Sequence, residues 1–160
     1  DELFFEVYNL PQIPAMHCIA ANHPPVPSPQ PLVRRNMDRS PFVILRHECP
    51  EGSPRESHWD LMLERAGVLW TWELREFPLA YGSYLVRRLA DHRLAYLKLE
   101  GPLSENRGTV SRVDSGELLV RRWDDAQIEV RLELGGCPLE LRLHLENPAD
   151  PSLWCLTVDT

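Results

Sequence analysis

Long apolar runs are missing from this chain of 160 residues, and nowhere does it approach the roughly 18 consecutive apolar positions that a membrane-spanning helix needs. No membrane partner is expected. The sequence also lacks a charged opening region followed by an apolar run and a small-residue cleavage site, so an unexported, cytoplasmic protein is expected; a monomer is expected as well. The four cysteines, Cys18, Cys49, Cys137 and Cys155, form no Cys-x-x-Cys pair and keep no regular spacing. They read as reduced thiols rather than a zinc knuckle or a disulfide framework. Positive charge is in deficit too: the net charge of −7 argues against a protein that coats nucleic acid by bulk electrostatics, though not against one that grips a single strand end. Arginine pairs such as Arg34-Arg35, Arg87-Arg88 and Arg121-Arg122 read as solvated surface.

Helical periodicity is weak throughout, with "LADHRLAYLKLE" the one plausible short candidate, and no internal repeat is present. What remains is a proline-crowded start and a succession of strands. Residues 1–38 read as an extended Pro-rich tail, because prolines fix backbone angles and remove amide donors without offering a hydrophobic period. His17 and His23 there read as solvated. Met37 stands just before the first strand-like run, so residues 1–36 are expected to be an appendage or to lie upstream of the natural start. Residues 39–160 are expected to form one domain.

Within that domain, "FVILRH" is short, apolar and β-branched, and "HWDLMLER" and "VLWTWEL" are joined by Ala66-Gly67 as a hairpin. "RGTVSRV" and "ELLVRRW" flank Asp114-Ser115-Gly116, a second tight-turn signal. Ile128, Val130 and Leu132 alternate with charged residues, as do Leu139, Leu141 and Leu143 after Gly135-Gly136. Each of these strands has one buried and one wet face, which makes His144 a surface histidine. Short strands in adjacent hairpins predict an all-β fold, a small antiparallel β-barrel with a short helical or loop segment.

The polar face of "HWDLMLE" raises the functional question. A period of two sets His58, Asp60, Met62 and Glu64 on one face and Trp59, Leu61 and Leu63 on the other. His47 ends the preceding strand. Two imidazoles and a carboxylate can hold a divalent transition metal with positions left open for water or a phosphate oxygen; the same residues also suit the ordinary wet side of a sheet. His92 and Tyr96, four apart, share one side and could contact a phosphate, or could serve as loop decoration and a buried, backbone-bonded phenol.

The order of "FVILRH", "HWDLMLERAGVLWTWEL", "DHRLAYLKLEGPL" and "RGTVSRVDSGEL" resembles the 3′-phosphoesterase domain at the N-terminus of bacterial DNA ligase D, from about Phe42 to Leu118. That family reads as a strand ending Lys-His, a His-Tyr-Asp-Phe-Arg-Leu-Glu strand, a Gly-Val-Leu-x-x-Trp turn and strand, a Glu-Asp-His-Pro-Leu-x-Tyr segment and a Gly-Thr-Val strand. The resemblance implies a small β-barrel hydrolase, manganese-dependent with Zn²⁺ or Co²⁺ as alternatives, that removes a 3′-ribonucleoside and then a 3′-phosphate in DNA end repair. It implies a DNA or RNA–DNA 3′ end as substrate, and a DNA ligase or end-joining protein as partner. His47, His58 and Asp60 match the family's metal ligands, while His92 and Tyr96 match its phosphate-contacting pair.

Three positions depart from the pattern. The family's arginine two residues after its aspartate is Met62 here, the loop between the ligand histidines is longer, and Glu-Asp-His becomes Ala90-Asp91-His92. Arg46, Arg88 and Arg93 are the candidates to supply the missing cation, with Met62 itself expected to face the phosphate groove. A rival reading from another class is an end-binding or adaptor module that keeps the barrel and has lost turnover.

Overall fold

The computed structural model describes residues 38–160 apart from Pro78. The Pro-rich segment 1–37, with His17 and His23, lies outside the described residues. Among the described residues nine strands follow one another: β1 (Arg39–Glu48), β2 (His58–Arg65), β3 (Val68–Leu74), β4 (Gly82–Arg88), β5 (Gly101–Pro102), β6 (Thr109–Trp123), β7 (Gln127–Leu134), β8 (Cys137–Asn147) and β9 (Asp150–Asp159). They pair antiparallel in the order β1-β2-β3-β4-β9-β8-β7-β6, and β6 returns to β1. The sheet closes on itself, which leaves no long open edge. The two-residue β5 pairs only onto β6.

Alternation along each strand fills the barrel. Phe42, Ile44, Leu61, Leu63, Trp72 and Leu74 from β1 to β3 meet Ile128, Val130, Leu141, Leu143, Trp154 and Leu156 in one buried core. The tight turns expected from sequence are present at Ala66-Gly67 and Gly135-Gly136, all four residues holding positive φ. The one short helical candidate is a 3-10 turn, Leu94–Lys98.

Asp114-Ser115-Gly116 is not a turn. The 15-residue β6 runs straight through it, because β1 pairs with β6 along its full length, from Arg39 opposite Leu119 to Glu48 opposite Thr109. A register shift between Ile44 and Leu45 leaves Val113 as the extra residue of a bulge. Gly116 is needed there for closeness rather than for turning: a Cβ would stand 3.2 Å from the Phe42 ring.

On the outer face of β1–β3 a second, smaller cluster forms from Val43, Leu45, Met62 and Leu69, all at or below 1% exposure. Tyr96 and Leu97 pack over it. Each such side chain gains about 1.5–3 kcal/mol on leaving water, which fixes the Leu94–Lys98 turn against the outside of the barrel.

Candidate metal and phosphate site

The outer face of β1–β3 can be read as rungs. His47 is directly opposite His58; Leu45 is opposite Asp60, which in turn is opposite Glu73; Val43 is opposite Met62, which is opposite Thr71. The face is polar at the His47 end and apolar at the Met62 end. Hairpin pairing thus joins two histidines eleven residues apart, with ring centroids 4.8 Å from each other.

Backbone carbonyls orient both imidazoles. His58 Nδ1 donates to Glu56 O at 2.8 Å, and since a carbonyl can only accept, Nε2 is left with its lone pair. That nitrogen lies 3.6 Å from Asp60 Oδ1. His47 Nε2 donates to Arg107 O at 2.7 Å, which leaves Nδ1 as the free nitrogen. Fixing a histidine through its second ring nitrogen is the usual support of a metal-ligating imidazole.

Asp60 is buried, its side chain 8% exposed, and its Oδ1 has no hydrogen-bond partner. Burial pushes its carboxyl up to about 6, against the pull of the His58 and Arg55 charges and with a further push from Glu73. A buried carboxylate oxygen without a donor beside an imidazole lone pair suits a cation. In this arrangement a guanidinium stands nearby: Arg55 Nη2 is 3.3 Å from His58 Nε2 and 2.6 Å from Glu73 Oε2. Burial raises the Glu73 carboxyl, but the Arg55 hydrogen bond and the His58, Arg55 and Arg75 charges outweigh it and hold the group below its ordinary value. The set that the geometry gathers here for a divalent ion is His47, Cys49 and His58, whose ligand atoms all lie within 4.8 Å of one another; Asp60, 3.6 Å from His58 Nε2, is not in that set.

A cavity of about 480 Å³ opens beside these residues. His47, Cys49, Arg55, Asp60, His92, Tyr96 and Arg107 line it, and the loop between β1 and β2 forms one wall. His92 Nδ1 is 2.9 Å from Thr71 Oγ1, its ring meets Tyr96 edge-on at 4.7 Å, and its backbone pairs with Leu69. Burial lowers its protonation equilibrium, and with the Arg55 and Arg88 charges outweighs the backbone hydrogen bond with Ala90 and the Asp91 charge, so the ring favours its neutral form at about pH 7. The structure thus brings all five principal residues of the sequence reading, His47, His58, Asp60, His92 and Tyr96, to one place.

It does not bring the four tentative ones. Met62 shares the Asp60 face but lies at 0% exposure under Tyr96 and Leu97, so it does not line the cavity. Arg46, next to His47, points to the opposite side of β1, where its guanidinium sits 4.0 Å over the Trp59 ring. Arg88 lies over Trp70 and Trp72 and bonds Leu89 O and Asp91. Arg93 is exposed and outside the cavity lining. The side chains that sequence reasoning missed are Glu73, Thr71, Arg55 and Arg107. Glu73 had a signal, a carboxylate inside the apolar strand "VLWTWEL"; Arg55 and Arg107 sit in loops, where no period points to them.

His144 is a surface residue, 3.3 Å from Glu146, and with Cys155 it forms a second set of potential donors that contributes nothing to the cavity. No helix among the described residues is long and apolar enough to cross a membrane. Neither a family model nor a curated protein sequence matches the chain.

Proposed function

We propose that this barrel is a divalent-metal-dependent phosphoesterase that trims nucleic-acid 3′ ends, removing a 3′-phosphate or a 3′-ribonucleotide. The observation that carries the reading is the buried, partnerless Asp60 Oδ1 beside the unprotonated Nε2 of His58, at the edge of a cavity that also holds His92 and Tyr96. His47, His58 and Asp60 would hold the ion, Mn²⁺ by resemblance, with Zn²⁺ or Co²⁺ also suited to a set that has a thiol within reach. When bound, such an ion supplies Lewis acidity at a phosphate oxygen and a more acidic water.

The chain's own residues do the rest. Glu56 O and Arg107 O hold the two imidazoles in the tautomers that leave one nitrogen of each unprotonated. His92, neutral at about pH 7, can accept a proton within the cavity. Tyr96 walls the cavity beside it and orients what enters. The partly enclosed walls of the β1–β2 loop limit the water around the phosphate, which strengthens each polar contact.

The burial of Met62 favours a second reading, an end-binding or adaptor module, since the position where the resembling family places an arginine offers no cation here. One experiment separates the two. Purified protein is incubated with Mn²⁺ and an end-labelled primer carrying a 3′-phosphate or a single 3′-ribonucleotide. Conversion to a 3′-hydroxyl supports the hydrolase; retention of the primer without conversion supports the adaptor.

A further inference from the structure

We propose that Arg55 and a divalent ion compete for the same electron pairs at His58 and the neighbouring carboxylates, and that ion entry releases Arg55 into the cavity to grip the substrate phosphate. The inference rests on the phosphoesterase reading and adds to it the cation that Met62, Arg46 and Arg88 do not provide.

Four observations carry it. Arg55 Nη2 stands 3.3 Å from His58 Nε2, whose lone pair is the one an ion would use because Nδ1 is committed to Glu56 O. A guanidinium N–H and a metal ion cannot both take that pair. Asp60 and Glu73, on facing positions of β2 and β3, are buried with side chains 8% and 7% exposed, and two such carboxylates need a nearby positive charge. Arg55, bonded to Glu73 Oε2 at 2.6 Å, supplies it.

Glu73 does not depend on Arg55 alone. Its other oxygen, Oε1, forms an ion pair with Arg75 Nη2 at 3.0 Å, so Glu73 keeps a cationic partner if Arg55 departs. Arg55 is also free to move: its side chain is 50% exposed, it springs from the loop rather than from a strand, and it lines both the cavity and the adjoining groove with Glu73 and Arg75. A planar guanidinium that leaves one carboxylate can meet a phosphate in the same two-pronged way. Arg107, the other cavity arginine, is engaged with Ser104 O and Oγ.

The test uses the full chain and its Arg55→Gln variant, with MnCl₂ and then inorganic phosphate as calorimetric probes. Removing the competing cation should tighten Mn²⁺ binding by about tenfold, while phosphate binding to the Mn²⁺-loaded variant should weaken by about tenfold or more. Arg55→Lys, which keeps a charge without the fork, should shift both in the same directions by less. A variant that binds Mn²⁺ no more tightly than the parent, or that binds phosphate equally well, overturns the role of Arg55 and leaves the metal site standing. Absence of Mn²⁺ binding in both the parent and Arg55→Gln overturns the metal reading and this inference together.

Discussion

Replacing Asp60 by asparagine should stabilise the metal-free protein. In the folded state burial lifts the Asp60 carboxyl from 3.8 to about 6, so between those values the native chain holds a proton that the unfolded chain has lost. The sign follows from linkage: where the native state binds more protons, stability falls as pH rises, and the penalty is complete above about pH 6. At about 1.4 kcal/mol per pH unit, a rise from 3.8 to about 6 amounts to about 3 kcal/mol. Asparagine keeps the shape, never ionises, and can donate to the His58 Nε2 lone pair that Asp60 now faces across 3.6 Å.

Asp60→Asn in EDTA should therefore melt about 10 °C above the parent at about pH 8, with the gap closing to nothing below about pH 4. Circular dichroism melts at several pH values measure this directly. Glu73 titrates in the opposite sense, but it is present in both proteins, so the difference between them isolates Asp60. The same variant should lose Mn²⁺ affinity by roughly a hundredfold, a trade of function for stability. A variant that melts below the parent at about pH 8, or a gap that does not change with pH, would refute the claim that burial destabilises the ionised Asp60 carboxylate.

Met62→Arg places a charge in the cluster of Val43, Leu45 and Leu69, and is expected to lower stability by about 3–5 kcal/mol with no gain in phosphate release, as denaturant unfolding and a phosphate assay would record. Cys49→Ser should weaken Zn²⁺ binding by about tenfold and leave Mn²⁺ binding within about twofold, because thiolate favours the softer ion; competition calorimetry checks this. His92→Gln should slow 3′-phosphate release by about a hundredfold. The parent's rate should also fall as pH drops through the lowered His92 protonation, below about 6.5, and that acid limb should be missing in the variant.

Strand period explains both what the sequence revealed of this site and where it misled. A period of two put His58 and Asp60 on one face, and the Ala66-Gly67 and Gly135-Gly136 turns named two hairpins, because both signals are local. The same period sets Arg46 apart: neighbours in a strand point to opposite sides, so a residue next to His47 faces away from it, here over Trp59. Met62 illustrates a further limit. Alternation gives the face of a side chain and not what covers it, and the cover here comes from Tyr96 and Leu97, more than thirty residues on.

Asp114-Ser115-Gly116 carries a local turn signal that a distant contact overrides: barrel closure against β1 holds these residues extended. The loop arginines Arg55 and Arg107 carry no periodic signature at all. Their place in the cavity follows from the path of the β1–β2 loop and of the segment before β6.

The proposed function requires that an ion held by His47, His58 and Asp60 drive phosphate release in this cavity. The direct measurement is release of 3′-phosphate from an end-labelled primer as Mn²⁺ is titrated into metal-free protein, run beside a His58→Ala, Asp60→Ala double variant. Activity should rise to a plateau at one Mn²⁺ per chain in the parent and stay at background in the double variant. Full activity in EDTA, or an unchanged plateau in the double variant, would contradict it.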